Sequence, residues 1–134
     1  MFRFTLPRDI YAGYGAIEKL AVLKGHKRAF ICTGGHSMRR GGFLQKAEKV
    51  LKDNGMETRI MEGIAPDPSI EAVREGAKAM SEFQPDVIVA IGGGSPIYAA
   101  KAMWVFYEHP ELSFDDVKKP FSLPPLRQKA IFVA

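Results

Sequence analysis

The stretch from Val87 to Pro96 limits the possible folds more than any other part of the sequence. Five apolar residues at 87–91 run directly into Gly92-Gly93-Gly94, followed by Ser95 and Pro96. A short apolar run is typical of a strand buried on both faces, while Ser95 suits a helix N-cap and Pro96 the first helical position. Such a strand, glycine turn and helix present backbone N–H groups and the positive end of a helix dipole to an anion such as a diphosphate. A purely structural glycine turn is the alternative.

Strand and helix patterns alternate along the rest of the sequence. Strands are predicted at 28–33, 58–61 and 130–134, and helices at 16–23, 43–51, 69–83 and 95–108, with one helical turn at 113–118. One or two short extended segments are expected from Phe4 to Tyr14, ahead of a turn at Gly13-Tyr14-Gly15. This order predicts an α/β fold with a Rossmann-like, open parallel sheet and helices on both faces.

Composition narrows the classes of protein to which the chain can belong. The 134 residues are 46% hydrophobic and suffice for one domain, while 19 basic and 15 acidic residues are interspersed, which argues against a nucleic-acid partner. The single cysteine, Cys32, excludes an intrachain disulfide and a zinc site made of several cysteines. Because no signal peptide pattern and no run of about 20 apolar residues occurs, we expect a cytoplasmic protein with no membrane partner.

The run from Ile91 to Pro110 resembles a family signature. Its letters, IGGGSPIYAAKAMWVFYEHP, are similar to the GGGSxxDxAK motif of iron-containing alcohol dehydrogenases. Further similarities are the early turn Gly13-Tyr14-Gly15-Ala16, the proline loop from Ile64 to Ser69, and Pro124-Pro125-Leu126 before a strand. The resemblance covers essentially the whole chain. It implies that residues 1–134 are the NAD(P)-binding domain of such an enzyme, with the N-terminal fold shared by dehydroquinate synthases.

The resemblance implies roles for the residues of the signature. In the family the GGGS loop binds the cofactor diphosphate, which assigns that role to Gly92, Gly93, Gly94 and Ser95. Lys101 matches the signature lysine and is expected to point toward the cofactor ribose, although a solvated helical lysine is the alternative. Tyr98 stands where the signature has aspartate. Because a phenol is bulkier than a carboxylate and uncharged near neutral pH, we predict weakened cofactor binding.

The residues after the first predicted strand bear on the choice between NADP and NAD. Many relatives that prefer NAD have Thr-Asp there, whereas this chain has Thr33-Gly34. Small residues and guanidinium groups accommodate a 2′-phosphate, as in relatives that accept NADP. The residues concerned are Gly34, Gly35, Ser37, Arg39 and Arg40. We therefore expect NADP, with NAD as the second possibility and a solvated basic turn as the alternative interpretation.

Metal binding is expected to lie outside these residues. The family binds iron or zinc through one aspartate and three histidines of a following helical domain, and those positions are absent here. His26, His36 and His109 are predicted surface residues, and no catalytic residue is assigned. We therefore expect a truncated chain with little or no turnover of its own.

Two features predict a homo-oligomer, most simply a dimer. They are an unpaired sheet edge at Val133 and apolar residues around the whole circumference of helix 95–108.

Three functions are compatible with these patterns. The first is the nucleotide-binding part of an oxidoreductase that moves a hydride between a nicotinamide and a primary alcohol or aldehyde. The second is a non-catalytic nucleotide-binding or oligomerisation fragment. The third is part of a dehydroquinate-synthase-like lyase, which recycles NAD and acts on a phosphorylated sugar acid. The matches at Ser95-Pro96 and Ala100-Lys101 favour the dehydrogenase.

Overall fold

The computed structural model describes residues 1–2, 4, 6–120 and 122–134 of the chain. Within them the strands form one parallel sheet in the order β2-β1-β3-β4. The strands are β1 (Arg28–Thr33), β2 (Glu57–Met61), β3 (Val87–Ile91) and β4 (Ile131–Val133). The predicted open parallel sheet is therefore confirmed, with strand bounds that agree with the sequence patterns to within one residue.

Helices follow each of the first three strands. A 3-10 helix (Ala16–Leu23) precedes the sheet, and the α-helices are α1 (Ser37–Arg40), α2 (Phe43–Asp53), α3 (Ile70–Phe83), α4 (Gly94–Glu108) and α5 (Phe114–Lys118). The short helix α1 was not predicted, because a single turn with no buried residue has no apolar periodicity. Two predicted boundary signals are confirmed: Ser69 Oγ accepts the Ala72 N–H at 3.1 Å, and Gly55 leaves α2 with a φ of +84°.

The two central strands, β1 and β3, are buried on both faces of the sheet, whereas the edge strand β2 has exposed residues. Successive residues of a strand point to opposite faces. Ala29 and Ile31 of β1 pack with the 3-10 helix and α2, in a cluster that includes Leu44. Phe30 and Cys32 pack against α3 and α4 on the other face. The prediction of helices on both faces is therefore confirmed.

The apolar residues in the second half of helix α4 are covered within the chain itself. Met103, Trp104, Val105 and Phe106 are all buried. A Cβ atom on Gly76 would overlap the Met103 side chain, which shows how closely α3 approaches. Trp104 also stacks on Phe132, with 5.3 Å between ring centroids, and Phe106 lies beside Phe114 at 4.7 Å. These apolar residues therefore give no reason to invoke a second copy, and the predicted dimer stays a prediction.

Two carboxylates bind the backbone where strands begin. Asp86 accepts the N–H groups of Lys27 and Arg28, each at 2.8 Å, immediately ahead of and at the start of β1. Glu108, at the end of α4, accepts the N–H groups of residues 128–130 ahead of β4 at 3.0 to 3.2 Å, together with the indole N–H of Trp104 at 3.3 Å. These bonds connect the amino end of the sheet to the preceding helices and loops.

The first fifteen residues carry little regular structure in the described part. Phe4 and residues 6–12 pair with no described strand, and the side chains of Phe4, Leu6 and Ile10 are exposed. The extended segments predicted here also include Thr5, which lies outside the described residues, as does Arg3. The turn at 13–15 is present, with positive φ at Gly13 and Gly15. Across the described residues, every helix is too short or too polar to cross a bilayer.

Candidate functional site

A cleft opens where strand order reverses. The chain leaves β1 toward β2 on one side and leaves β3 toward β4 on the other, although β1 and β3 are direct neighbours with Thr33 paired to Ile91. Connections that diverge in this way leave a crevice at the carboxyl ends of the two strands, which is the usual ligand position in open α/β sheets. The crevice measures about 190 Å³ and is lined by Thr33, Gly34, Gly35, Ser37, Met38, Ile64, Pro66, Gly92, Gly93, Ser95 and Pro96.

The glycine turn forms one wall of the cleft. Gly92 has a φ of +140°, and a Cβ there would lie 2.8 Å from Pro96 Cγ, so the turn needs glycine at this position. Gly93 has extended backbone and open space where a Cβ would stand. An anion can therefore approach the main chain closely at Gly93.

Helix α4 begins two residues earlier than the Ser-Pro signal predicted. Gly93 is the N-cap and Gly94 the first helical residue, so the prediction of Ser95 as N-cap and Pro96 as first residue is wrong. Gly93 adopts the extended conformation of an N-cap, and Pro96 fits the third position because that amide would lack an intrahelical partner anyway. No described side chain caps the helix. The amides of Gly94 and Ser95 therefore have no acceptor among the described residues.

The segment after β1 forms the opposite wall. Gly34 O accepts the Gly63 N–H at 2.8 Å, and Thr33 O accepts the Ile64 N–H at 3.3 Å, which holds the loop after β2 against this end of the sheet. A Cβ on Gly34 would lie 3.6 Å from Ile64 O and 3.7 Å from Pro96 Cγ. The two walls therefore approach each other at Gly34.

Arg39 forms a paired fork with an acid that the sequence analysis did not single out. Its Nε and Nη2 donate to Glu62 Oε1 and Oε2 at 2.8 and 2.7 Å. The hydrogen bond from Arg39 lowers the pKa of Glu62, and the same bond raises the pKa of Arg39. Glu62 directly follows β2. An acid directly after a strand was the available signal, but its partner lies 23 residues away in sequence.

The predicted site residues fall into two groups. Those that the fold brings together as lining of the cleft are Gly34, Gly35, Ser37, Gly92, Gly93 and Ser95. Those that do not line it are Gly94, Tyr98, Lys101, Arg39 and Arg40. Tyr98 is 71% exposed one turn into α4, with its ring beside Gly94. Lys101 is exposed, with Nζ 5.9 Å from the ring centroid of Phe132.

Thr33 carries an unsatisfied hydroxyl at the foot of the cleft. The residue is 1% exposed, and its Oγ1 has no hydrogen-bond partner among the described residues.

Cys32, the preceding residue, is fully buried on the other face of β1, and burial raises the pKa of its thiol to about 12. Its thiolate is therefore not available as a nucleophile or metal ligand near neutral pH.

The histidines are dispersed over the surface and loops. His26 lies 3.5 Å from Asp86, His109 contacts the Pro125 carbonyl and Glu111, and His36 is exposed ahead of α1. In the described ranges no three side chains of His, Cys, Asp or Glu come close enough together to hold a metal ion. The donor set of these residues therefore does not fit the iron or zinc of the resembling enzymes.

Fold and cleft together define a parallel α/β domain with a glycine-lined crevice at its switch point. Comparison with known proteins identifies the family: the iron-containing alcohol dehydrogenase profile matches residues 7–133. The chain belongs to the iron-containing alcohol dehydrogenase family. It is 58% identical, over 134 residues, to an NADPH-dependent butanol dehydrogenase of Clostridium saccharobutylicum, covering all of this chain and 34% of that protein.

Solved structures agree with this assignment. The iron-containing alcohol dehydrogenase of Thermococcus thioreducens superposes with a TM-score of 0.79 at 38% identity, over 90% of this chain and 33% of that one. The alcohol dehydrogenase ADH/D1 of an archaeal halo-thermophile from a Red Sea brine pool gives 0.81 at 33% identity, over 98% and 36%. The chain thus spans about a third of the length of each of these relatives.

Proposed function

We propose that this chain is the NAD(P)-binding part of an alcohol dehydrogenase, and that its cleft binds the diphosphate of a nicotinamide dinucleotide. The observation that carries the proposal is the open glycine turn at the start of α4. There the amides of Gly94 and Ser95 lack acceptors in the described structure, and Gly93 leaves space for a phosphate. Backbone donors at a helix N-terminus stabilise a bound anion through hydrogen bonds and the helix dipole.

The charge of the residues that line the cleft also favours a diphosphate. Of the described residues that line the cleft, none is Asp or Glu. A diphosphate can therefore approach without charge repulsion. With its phosphates over the turn at 92–95, a dinucleotide extends its adenosine across the end of β1, where Gly34, Gly35 and Ser37 leave room.

NADP is the proposed dinucleotide. Directly after β1 the chain has Gly34, so no carboxylate stands there to repel a 2′-phosphate, and the cationic side chains of Arg39 and Arg40 follow in α1. The butanol dehydrogenase relative, 58% identical, is described as NADPH-dependent. NAD remains the second candidate cofactor.

The proposed part of these residues in catalysis is to bind and orient the cofactor. Hydride transfer between nicotinamide and an alcohol is assisted in the family by a metal that polarises the substrate oxygen. The described side chains do not supply its ligands, so no reaction step is assigned to them. We therefore expect negligible turnover from residues 1–134 alone. A cytoplasmic location and a homodimer remain predictions from composition and sheet edge.

Calorimetric and thermal titrations test the proposal. NADPH at about 100 times its dissociation constant should stabilise the fold by about 2.7 kcal/mol, and NADH should stabilise it less at equal concentration. ADP should compete with both, whereas adenosine should not, because only ADP carries the diphosphate. If neither NADPH nor NADH shifts the melting temperature at saturation, the cleft is not a dinucleotide site.

In a separate assay with added iron or zinc, oxidation of NADPH by an aldehyde would contradict the expected lack of turnover.

A further inference from the structure

The order of the strands fixes where the far end of a dinucleotide lies. Neighbouring strands are about 4.8 Å apart, so the ends of β3, β1 and β2 form a row about 10 Å long. With the diphosphate at the end of β3 and the adenosine ribose over the end of β1, a substituent on the ribose 2′-position points toward the end of β2. The ion pair of Arg39 and Glu62 stands at that end.

The geometry of this pair leaves the guanidinium able to bind a second anion. Glu62 engages only Nε and one N–H of Nη2. Arginine has five N–H donors, so both hydrogens of Nη1 and the second hydrogen of Nη2 have no acceptor in the described part of the chain. The Arg39 side chain is 46% exposed, so a phosphate can reach these hydrogens. A paired guanidinium can therefore bridge the carboxylate and a phosphate.

We infer that Glu62 is a positioning residue that sets the preference of this cleft for a 2′-phosphorylated adenosine by holding Arg39 in place. The inference rests on the proposed function, since it requires that the cleft bind a nucleotide. Arg39 lies in a helix of one turn with no buried residue, so its own element does little to restrain its side chain. Glu62 is anchored better: it is 27% exposed and directly continues β2.

Two opposing effects of Glu62 decide the sign of its contribution. Holding Arg39 removes the entropy that a flexible side chain would lose on binding phosphate, which corresponds to a factor of about two to ten in affinity. The Glu62 carboxylate also repels the phosphate, but it does so across the width of the guanidinium, near solvent and close to the screening length of about 8 Å at physiological ionic strength. Ordering therefore outweighs repulsion, and Glu62 favours the 2′-phosphate.

Calorimetry with two nucleotides that differ only in the 2′-phosphate tests the inference. The probes are adenosine 2′,5′-bisphosphate and adenosine 5′-monophosphate. Glu62→Ala should weaken the bisphosphate about threefold and leave the monophosphate within a factor of about 1.5. Glu62→Gln keeps an acceptor for Arg39 and removes the repulsion, so it should bind the bisphosphate at least as tightly as wild type. Arg39→Met should abolish most of the preference, a loss of about tenfold.

A matched control separates positioning from a general change of surface charge. Glu82 pairs with Arg59 at 3.9 Å, and neither residue lines the cleft. Glu82→Ala should therefore change neither affinity. Thermal melting of each variant should show an unchanged fold, because all four side chains are at least 27% exposed.

The outcomes distinguish failure of the inference from failure of the proposed function. If the wild-type chain binds neither nucleotide, both are wrong. If it binds both nucleotides equally well, the cleft accepts adenosine nucleotides but has no site for the 2′-phosphate, and the inference alone is wrong. If the wild type prefers the bisphosphate and Glu62→Ala keeps that preference, Arg39 needs no positioning by Glu62 and the inference is again overturned.

Discussion

The two ends of the sheet differ in whether their backbone N–H groups have acceptors within the described structure. At the amino end, Asp86 and Glu108 bind the N–H groups ahead of β1 and β4. At the carboxyl end, the amides of Gly94 and Ser95 have no acceptor among the described residues. Thr33 Oγ1, also at this end, is likewise without a described partner.

The difference separates a structural end from a binding end. A backbone N–H that leaves water needs an acceptor, and its loss costs about 1 to 3 kcal/mol when it is buried. At the amino end, carboxylates of the chain itself accept the N–H groups. At the carboxyl end, the N–H groups can be accepted only by solvent or by a bound anion, and free donors of this kind are what an anion-binding site requires. Mutations at the two ends should therefore affect different measurements.

The largest expected effect concerns Glu108 at the amino end. Glu108→Ala removes the side-chain acceptor for the three amides of residues 128–130, while the Trp104 indole keeps the Ala130 carbonyl as its acceptor at 3.0 Å. Glu108 is 6% exposed, so water cannot fully replace it, and the free energy of unfolding should fall by about 3 kcal/mol or more. Urea denaturation measures this. Glu111→Ala, a change at a site with a 67% exposed side chain, should stay within about 0.5 kcal/mol.

A loss of less than about 1 kcal/mol in Glu108→Ala would contradict the view that the amino end depends on its own acceptors. An equally large loss of stability in Glu111→Ala would mean that removing a negative charge from this region, and not losing an acceptor, destabilises the fold. Either result would contradict the description of the amino end as the structural end of the sheet.

The next effect concerns the carboxyl end and should change binding without weakening the fold. Gly93→Asp places a better N-cap at the start of α4, so stability should stay equal or rise by a few tenths of a kcal/mol. The same carboxylate lies where the diphosphate is proposed, so affinity for NADPH should fall roughly 30-fold, about 2 kcal/mol. Calorimetry and thermal melting on one sample measure both.

Gly93→Asn is the matched control for this change. It has nearly the same size and capping ability as Asp but no charge, and the space at Gly93 is open. It should keep NADPH affinity within about threefold of wild type. Equal losses in the Asp and Asn variants would show that the anion does not lie at this turn.

A smaller effect tests whether the unsatisfied hydroxyl of Thr33 destabilises the folded state. Thr33→Val keeps the branched shape and removes Oγ1, which has no partner in the described structure, so unfolding free energy should rise by about 1 kcal/mol. Thr33→Ser keeps the hydroxyl, loses a buried methyl group and should be less stable than wild type. Destabilisation by Thr33→Val would show that the hydroxyl is hydrogen-bonded in solution.

The smallest expected effect concerns Tyr98 on the exposed side of α4. Because Tyr98 is 71% exposed, Tyr98→Asp should change stability by less than about 0.5 kcal/mol. It restores the carboxylate of the family motif, which can accept hydrogen bonds that a phenol accepts poorly, and should raise NADPH affinity about threefold. Tyr98→Asn separates the effect of size from that of charge. Unchanged affinity in the calorimeter would contradict the sequence-based expectation that Tyr98 weakens binding.

The fold class could be predicted because its signals are local. The apolar run of β3, the Ser69 cap and the exit at Gly55 each depend on residues within a few positions of one another. Steric limits on φ and short-range hydrogen bonds act at that range whatever the rest of the chain does. The turn after β3 and the family signature lie on the same local stretch, so the candidate site was also visible.

Features that join distant segments could not be predicted in this way. The start of α4 at Gly94 differs by two residues from the Ser-Pro signal, since Gly93 takes the extended N-cap conformation. The pairing of Arg39 with Glu62, and of Glu108 with residues 128–130, follows from the strand order β2-β1-β3-β4. Local patterns specify which segments become strands and helices. Which segments become neighbours depends on burying both faces of one sheet at once, a condition on the whole chain.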